Sequence, residues 1–331
     1  GILLAVLQRR ITLFHAFFLG GLLVWVGIVA SAFVPNMACM TVTFGLIHGL
    51  GYGLTITTLS VLLAMYFYRY RGLASGIKYV GMSCSGLVFP KLLAYLRRQY
   101  GFRGTLLIYG GIATHVTAFG LLLKEPPWIC LTHEVKEEKL PTVRTITKLR
   151  CQLTNVAQHK NAPTNSTRKH WGRFSSLLTI LRQPIFYLIV SCAMIVYLSS
   201  PVFTSTVMDY AVDKGLSLSD GETLVVYGSC TQIVGRLFVP PLADVGWIRR
   251  GTLAMTNFLI AGVSMLLMPH ATLHAHVLLV CLFVYLSLGC LSTLKSVLMA
   301  DYLGVEWIST CYGASGLLLL PMTFCSSSII G

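Results

Sequence analysis

Three basic side chains fall inside apolar runs of membrane-helix length: Lys78 in "RGLASGIKYVG" (Arg71–Gly81), Arg236 in "GRLFVPPLADVGWIRR" (Gly235–Arg250), and Lys295 in a later run. A charge at the centre of a bilayer costs at least ~2.5–3.5 kcal/mol on insertion scales, so such residues usually face a cavity or a partner. Arg236 lies eight positions before Asp244, about 12 Å along a helix at ~1.5 Å per residue. That depth favours a ligand path over a structural bond to a neighbouring helix, and both readings stay open. A guanidinium can hold a carboxylate through two parallel hydrogen bonds. Lys78 lies seven residues beyond Arg71, about 10 Å deep by the same rise. Its helical neighbours Gly81, Met82 and Ser85 predict a small, partly polar stripe beside a cavity, with Lys78 and Ser85 as binding residues. Snorkelling to the interface and pairing with an acid remain the other readings of Lys78. Lys295, six residues before Asp301, reads as an interfacial lysine, with a lumen contact as the alternative.

A second group of charges suggests conformational control. Asp244 follows Pro240-Pro241 and precedes Arg249 and Arg250, so a carboxylate at the next helix's N-terminus is expected to latch one conformation through dipole and arginine contacts. Arg69 and Arg71 flank two apolar segments and serve topology, with a gating ion pair as the further reading. Asp209, Asp213, Asp220 and Glu222 read as a solvated face. The chemistry of a membrane enzyme is not signalled: no H-E-x-x-H, G-x-S-x-G or P-loop pattern occurs, and no cofactor is expected. Ten cysteines lack C-x-x-C or zinc spacing, so they are expected to act as small hydrophobes. His270, His274 and His276 gather near a turn, with metal binding as the weaker reading. Tyr52, Phe203 and Tyr227 are expected to pack, with cavity lining as the alternative.

These residues need elements to position them, and composition says which. The chain has 331 residues, 55% hydrophobic and 11% charged, against roughly 25% charged in soluble domains. It reads as an all-α polytopic membrane protein. Its net charge of +14 lies between apolar segments and not along one polar face, which argues topology and not nucleic-acid binding. Ten candidate spans of ~20 apolar residues are expected, at about 1–8, 11–33, 38–66, 72–96, 104–123, 184–207, 222–243, 251–269, 272–300 and 308–331. This predicts an N-terminal bundle over 1–123, a linker over 124–183 and a C-terminal bundle over 184–331. The linker carries eleven Lys/Arg against four acids and is expected to be largely disordered. Alternate connections hold most of the basic residues, which places the linker in the cytoplasm by the positive-inside rule, its Asn165-Ser166-Thr167 sequon unglycosylated. The chain opens and closes inside apolar runs, so it reads as a fragment with a helix missing at each end.

The halves echo one another: "RGLASG" (Arg71–Gly76) and "YGASG" (Tyr312–Gly316) take corresponding places if two six-helix halves are completed, as in parallel-repeat transporters. "YFYRYRGLASGIKYVG" (Tyr66–Gly81) resembles the signature entering the fifth helix of the monocarboxylate transporter family of the major facilitator superfamily. "YGFRGTLLIYGG" (Tyr100–Gly111), "GRLFVPPLADVGWIRR" and "ADYLGVEWISTCYGASGLLLL" (Ala300–Leu320) are similar to later family segments in the expected order. The resemblance implies a major facilitator fold with about ten of twelve helices in two pseudo-repeat bundles, working in the plasma membrane by alternating access. It also implies a monocarboxylate-like substrate, the lipid bilayer as surroundings, and a single-span accessory glycoprotein as a candidate partner. Arg236 matches the family's eighth-helix arginine, whereas the acid of proton-coupled members, one turn earlier, is here Gln232. Gln232 is thereby a binding candidate that cannot titrate, which points to facilitated diffusion or to coupling through the unseen first helix. Lys78 is also a departure, since the family is expected to be uncharged there. A neutral or zwitterionic substrate and a non-transporting membrane sensor are the alternative functions.

Overall fold

The computed structural model describes residues 2–7, 11–123, 182–215, 217–271 and 274–330. Helices occupy each of the ten expected segments: α1 (Ile2–Leu7), α2 (Leu13–Phe33), α3 (Met37–Tyr66), then a 50-residue run Arg71–Gly120, α6 (Pro184–Asp213), α7 (Leu218–Leu237), the short α8 (Val239–Asp244), α9 (Arg250–Leu267), α10 (His274–Leu298) and α11 (Ile308–Ile330). The 50-residue run breaks at Gly101, whose φ of 67° and ψ of −177° interrupt the helix. That positive φ is open to glycine because it lacks a Cβ, and it divides the run into α4 (71–100) and α5 (102–120). Residues 124–181 of the linker, the sequon among them, and the side chains of Asp220 and Glu222 lie outside what is described.

Local chemistry explains the boundaries. Thr12 caps α2 by accepting from the His15 amide at 3.4 Å, and α2 stops where Val34 turns extended before Pro35, the conformation a following proline favours. Pro184 opens α6 at its first turn, where its missing N–H removes no helical bond. Pro240 and Pro241 follow the end of α7, so the chain restarts as α8. Within α3 the segment Thr41–His48 widens to a π-helix, and Met299–Leu303 does the same after α10. Among the described residues six helices are long and apolar enough to cross a membrane by length and composition, the Arg71–Gly120 run among them. The described residues thus form an all-α polytopic membrane protein.

Each half packs on itself, and the two meet at one end. Val24, Ile28, Leu106 and Ala113 bury together in the first half; Phe203, Leu224, Val277 and Tyr285 do so in the second. One buried cluster draws on both halves: Leu13, Val61, Leu62 and Met65 against Phe186, Ile189, Met299 and Ile308. Val61, Leu62 and Met65 lie near the end of α3 and Met299 follows α10, whereas Leu13, Phe186, Ile189 and Ile308 lie at the starts of α2, α6 and α11. Toward the other end no hydrophobic cluster among the described residues joins the halves, and Tyr52 and Tyr227 are half exposed there. Phe203 instead packs edge-on against Tyr285 at 5.1 Å between centroids.

Candidate functional site

The face of α4 that meets the second half is set by helical spacing. Gly72, Ser75, Gly76, Tyr79 and Ser83 are buried at intervals of three or four residues, one stripe of a helix. The stripe expected through Gly81, Met82 and Ser85 is a different and more open face: Met82 is 54% exposed, and Ser85 donates to the Met82 carbonyl at 2.8 Å. Glycine 76 is what lets the halves touch, because a Cβ there would run into the Arg236 carbonyl of α7. Ser296 of α10 reaches Ser75 at 3.5 Å.

Around Tyr79 the charges of both halves converge. Arg236, 5% exposed, crosses from α7 to α4 and gives Nη1 to the Tyr79 carbonyl at 2.6 Å and to Ser83 Oγ at 2.5 Å. Its Nε, also buried, has no acceptor. Ser83 in turn donates to Gln232 Oε1 at 3.0 Å, so the glutamine fixes the hydroxyl that receives the arginine. Lys78 donates to Ser60 Oγ of α3 at 2.8 Å and lies 4.2 Å from the Tyr79 ring centroid. Arg236 lies 5.8 Å and Lys295 5.7 Å from that same centroid. Tyr312 of α11 closes the ring with a 3.3 Å hydroxyl contact to Tyr79.

Lys295 overturns its sequence reading. It is 8% exposed and sits 3.4 Å from the Tyr197 ring centroid of α6, so it points inward and not to the interface. Its i−4 neighbour Leu291 and i+2 neighbour Val297 are also buried. The eleven consecutive positions 287–297 of α10 are all buried, so this end of the helix is surrounded by the bundle on every face and Lys295 with it. The tyrosines Tyr79, Tyr197 and Tyr312 and the serines Ser60 and Ser83 went unnoticed, because nothing in their local spacing separates them from packing residues.

At the meeting end, charges of both signs pair. Asp301 binds Arg71 at 2.6 Å and Arg250 at 2.5 Å. Asp244 binds Arg250 at 2.8 Å and accepts from the Leu73 amide at 2.9 Å. Asp244 thus sits on the first turn of α4, in the opposite half, where a carboxylate meets free N–H groups and the positive helix end. Arg71 also donates to the Ala64 carbonyl at 3.3 Å. Arg69 contributes only its carbonyl, to Arg250 at 3.3 Å, while its side chain lies over Tyr70. Arg249 is exposed and N-caps α9 with no side-chain bond. Asp301 was missed as a latch residue because its partners are remote in sequence. Among the described residues no three His, Cys, Asp or Glu side chains gather as a metal site.

Two helical halves closed over an ionic latch at one end, with a buried cationic cluster between them, define an integral membrane protein of two-bundle type. The model of the Major Facilitator Superfamily matches residues 1–323, and the chain belongs to that superfamily. Monocarboxylate transporter 12 of Homo sapiens is 26% identical over 308 residues, 89% of this chain and 57% of that protein. Its counterpart in Rattus norvegicus is 24% identical over 314 residues, covering 93% of this chain and 63% of its own length. Monocarboxylate transporter 6 of Homo sapiens is 35% identical over 127 residues, 38% of this chain and 25% of that protein. The chain spans less than two thirds of the length of each.

Proposed function

We propose that this chain forms the core of a secondary transporter of small organic anions, working by alternating access in the plasma membrane. The observation that carries the reading is the cluster of Lys78, Lys295 and Arg236 around one tyrosine ring, with no ion pair to a carboxylate from any of the three among the described residues. Buried cations without counter-charges are costly, and an anion entering between the halves supplies what the protein withholds. The names of the relatives support the same class of cargo.

The latch fits the other half of the cycle. The basic connections put the latch end in the cytoplasm, so the structure corresponds to a state closed inward and parted outward. A bound anion would draw the two halves together on Arg236 and Lys295 from one side and Lys78 from the other; the paired arginines would then release, and the bundles rock about the site. Gln232 holds Ser83 and cannot carry a proton, so flux through this chain needs no carboxylate titration at that position.

An amine-bearing or zwitterionic substrate is the runner-up, and the aromatic faces that would receive an ammonium already hold Lys78 and Lys295. Uptake of a labelled monocarboxylate panel into vesicles reconstituted with the purified chain tests the proposal. Uptake that is saturable and lost in Arg236→Ala is the expected result. Flux untouched by that substitution removes the assigned role, and binding without flux favours a sensor.

A further inference from the structure

Three basic heads meet in this site around the Tyr79 ring, and none of them pairs with a carboxylate among the described residues. Arg236 already spends one nitrogen on Tyr79 and Ser83 yet keeps a buried Nε without an acceptor. Lys295 has no hydrogen-bond or ion-pair partner among the described residues; only the rings of Tyr197 and Tyr79 face it. Lys78 has one hydroxyl, that of Ser60. The carboxylates nearest in the chain are engaged elsewhere: Asp301 by Arg71 and Arg250, and Asp244 by Arg250 and the Leu73 amide.

The heads also come from different elements. Lys78 stands on α4 of the first half, whereas Arg236 stands on α7 and Lys295 on α10 of the second. A ligand with one negative group brings a single counter-charge to the three. A ligand with two separated negative groups can answer the unspent edge of Arg236 or Lys295 with one end and Lys78 with the other, and so tie the halves together through itself. Charge balance and the division of the cations between halves both ask for that ligand.

We infer that the preferred substrate is an organic dianion of dicarboxylate type, with Lys78 and Lys295 setting the preference for a second negative charge. This rests on the anion-site reading above and sharpens it. Arg236 provides the common carboxylate contact; the lysines select by charge count, because each further ion pair formed out of bulk water adds attraction that a monoanion does not collect.

The test compares labelled succinate with labelled butyrate, equal in carbon number, binding to the purified chain in detergent. The expected result is that succinate binds at least about tenfold more tightly than butyrate. Lys295→Gln is expected to weaken succinate more than butyrate, bringing the two to within about threefold of each other. Lys295→Arg keeps the charge and is expected to keep the preference, which separates lost charge from a damaged fold. Butyrate binding as tightly as succinate to the unmodified chain overturns the dianion inference and leaves an anion site standing. A preference that survives Lys295→Gln and Lys78→Gln together also overturns it. Binding of neither anion defeats the anion reading and this inference with it.

Discussion

The ionic latch and the tyrosine-centred cluster lie on the same face of α4, yet they treat charge in opposite ways. At the latch, Arg71 and Arg250 meet Asp301 and Asp244, and each carboxylate is satisfied from both halves. At the cluster, one turn and more further along, Lys78, Lys295 and Arg236 gather on Tyr79 with hydroxyls, a carbonyl and aromatic faces as their partners among the described residues. Paired charges hold a state, and unpaired charges of one sign wait for something to complete them. On the proposed reading the latch serves conformation and the cluster serves cargo.

The largest effect is expected at the cluster. Arg236→Ala should lower labelled monocarboxylate uptake by about a hundredfold, since truncating a buried, hydrogen-bonded charge typically costs ~2–5 kcal/mol. Uptake within a few-fold of the unmodified chain would move Arg236 from cargo to architecture.

Asp301→Asn should act on the other side of the comparison. It weakens two arginine contacts at once, so the latch end should open more often, read as about a tenfold faster reaction of a Ser75→Cys probe with a water-soluble maleimide. Ser75 is buried behind the latch, and an unchanged labelling rate would mean that the apolar cluster closes this end without the ions. Gly76→Val tests the close approach itself: a side chain against the Arg236 carbonyl should wedge the halves and raise the same labelling about fivefold. At the small end, Arg249→Ala should change uptake by less than about twofold, because an exposed charge without a partner contributes little. A large loss there would assign Arg249 a contact in the opposite state of the cycle.

The positions of the helices were legible in the amino-acid order, because apolar runs of membrane length dictate helices whose backbone polar groups are satisfied internally. Even the break at Gly101 falls between two expected spans. Within the site the legibility was uneven. Arg236 and Asp244 stood out as charges at defined depths in a family-like run. Lys78 stood out too, but its stripe was read one helical face away from the buried one, since small residues occur on both sides of α4. Lys295 was read as interfacial because six residues separate it from Asp301, a short distance along one helix that says nothing of what packs over it.

What the sequence alone determined is a set of helices, the depth of each charge along its own axis, and the absence of an acid where Gln232 stands. Only the tertiary structure decided which charges meet. Arg71 and Asp301 are 230 residues apart and Arg236 and Tyr79 are 157 apart, and no periodicity within one helix encodes the rotation of another against it. That rotation is set by close contacts such as Gly76 on the Arg236 backbone, which fix how two helices face each other and so turn isolated cations into one site.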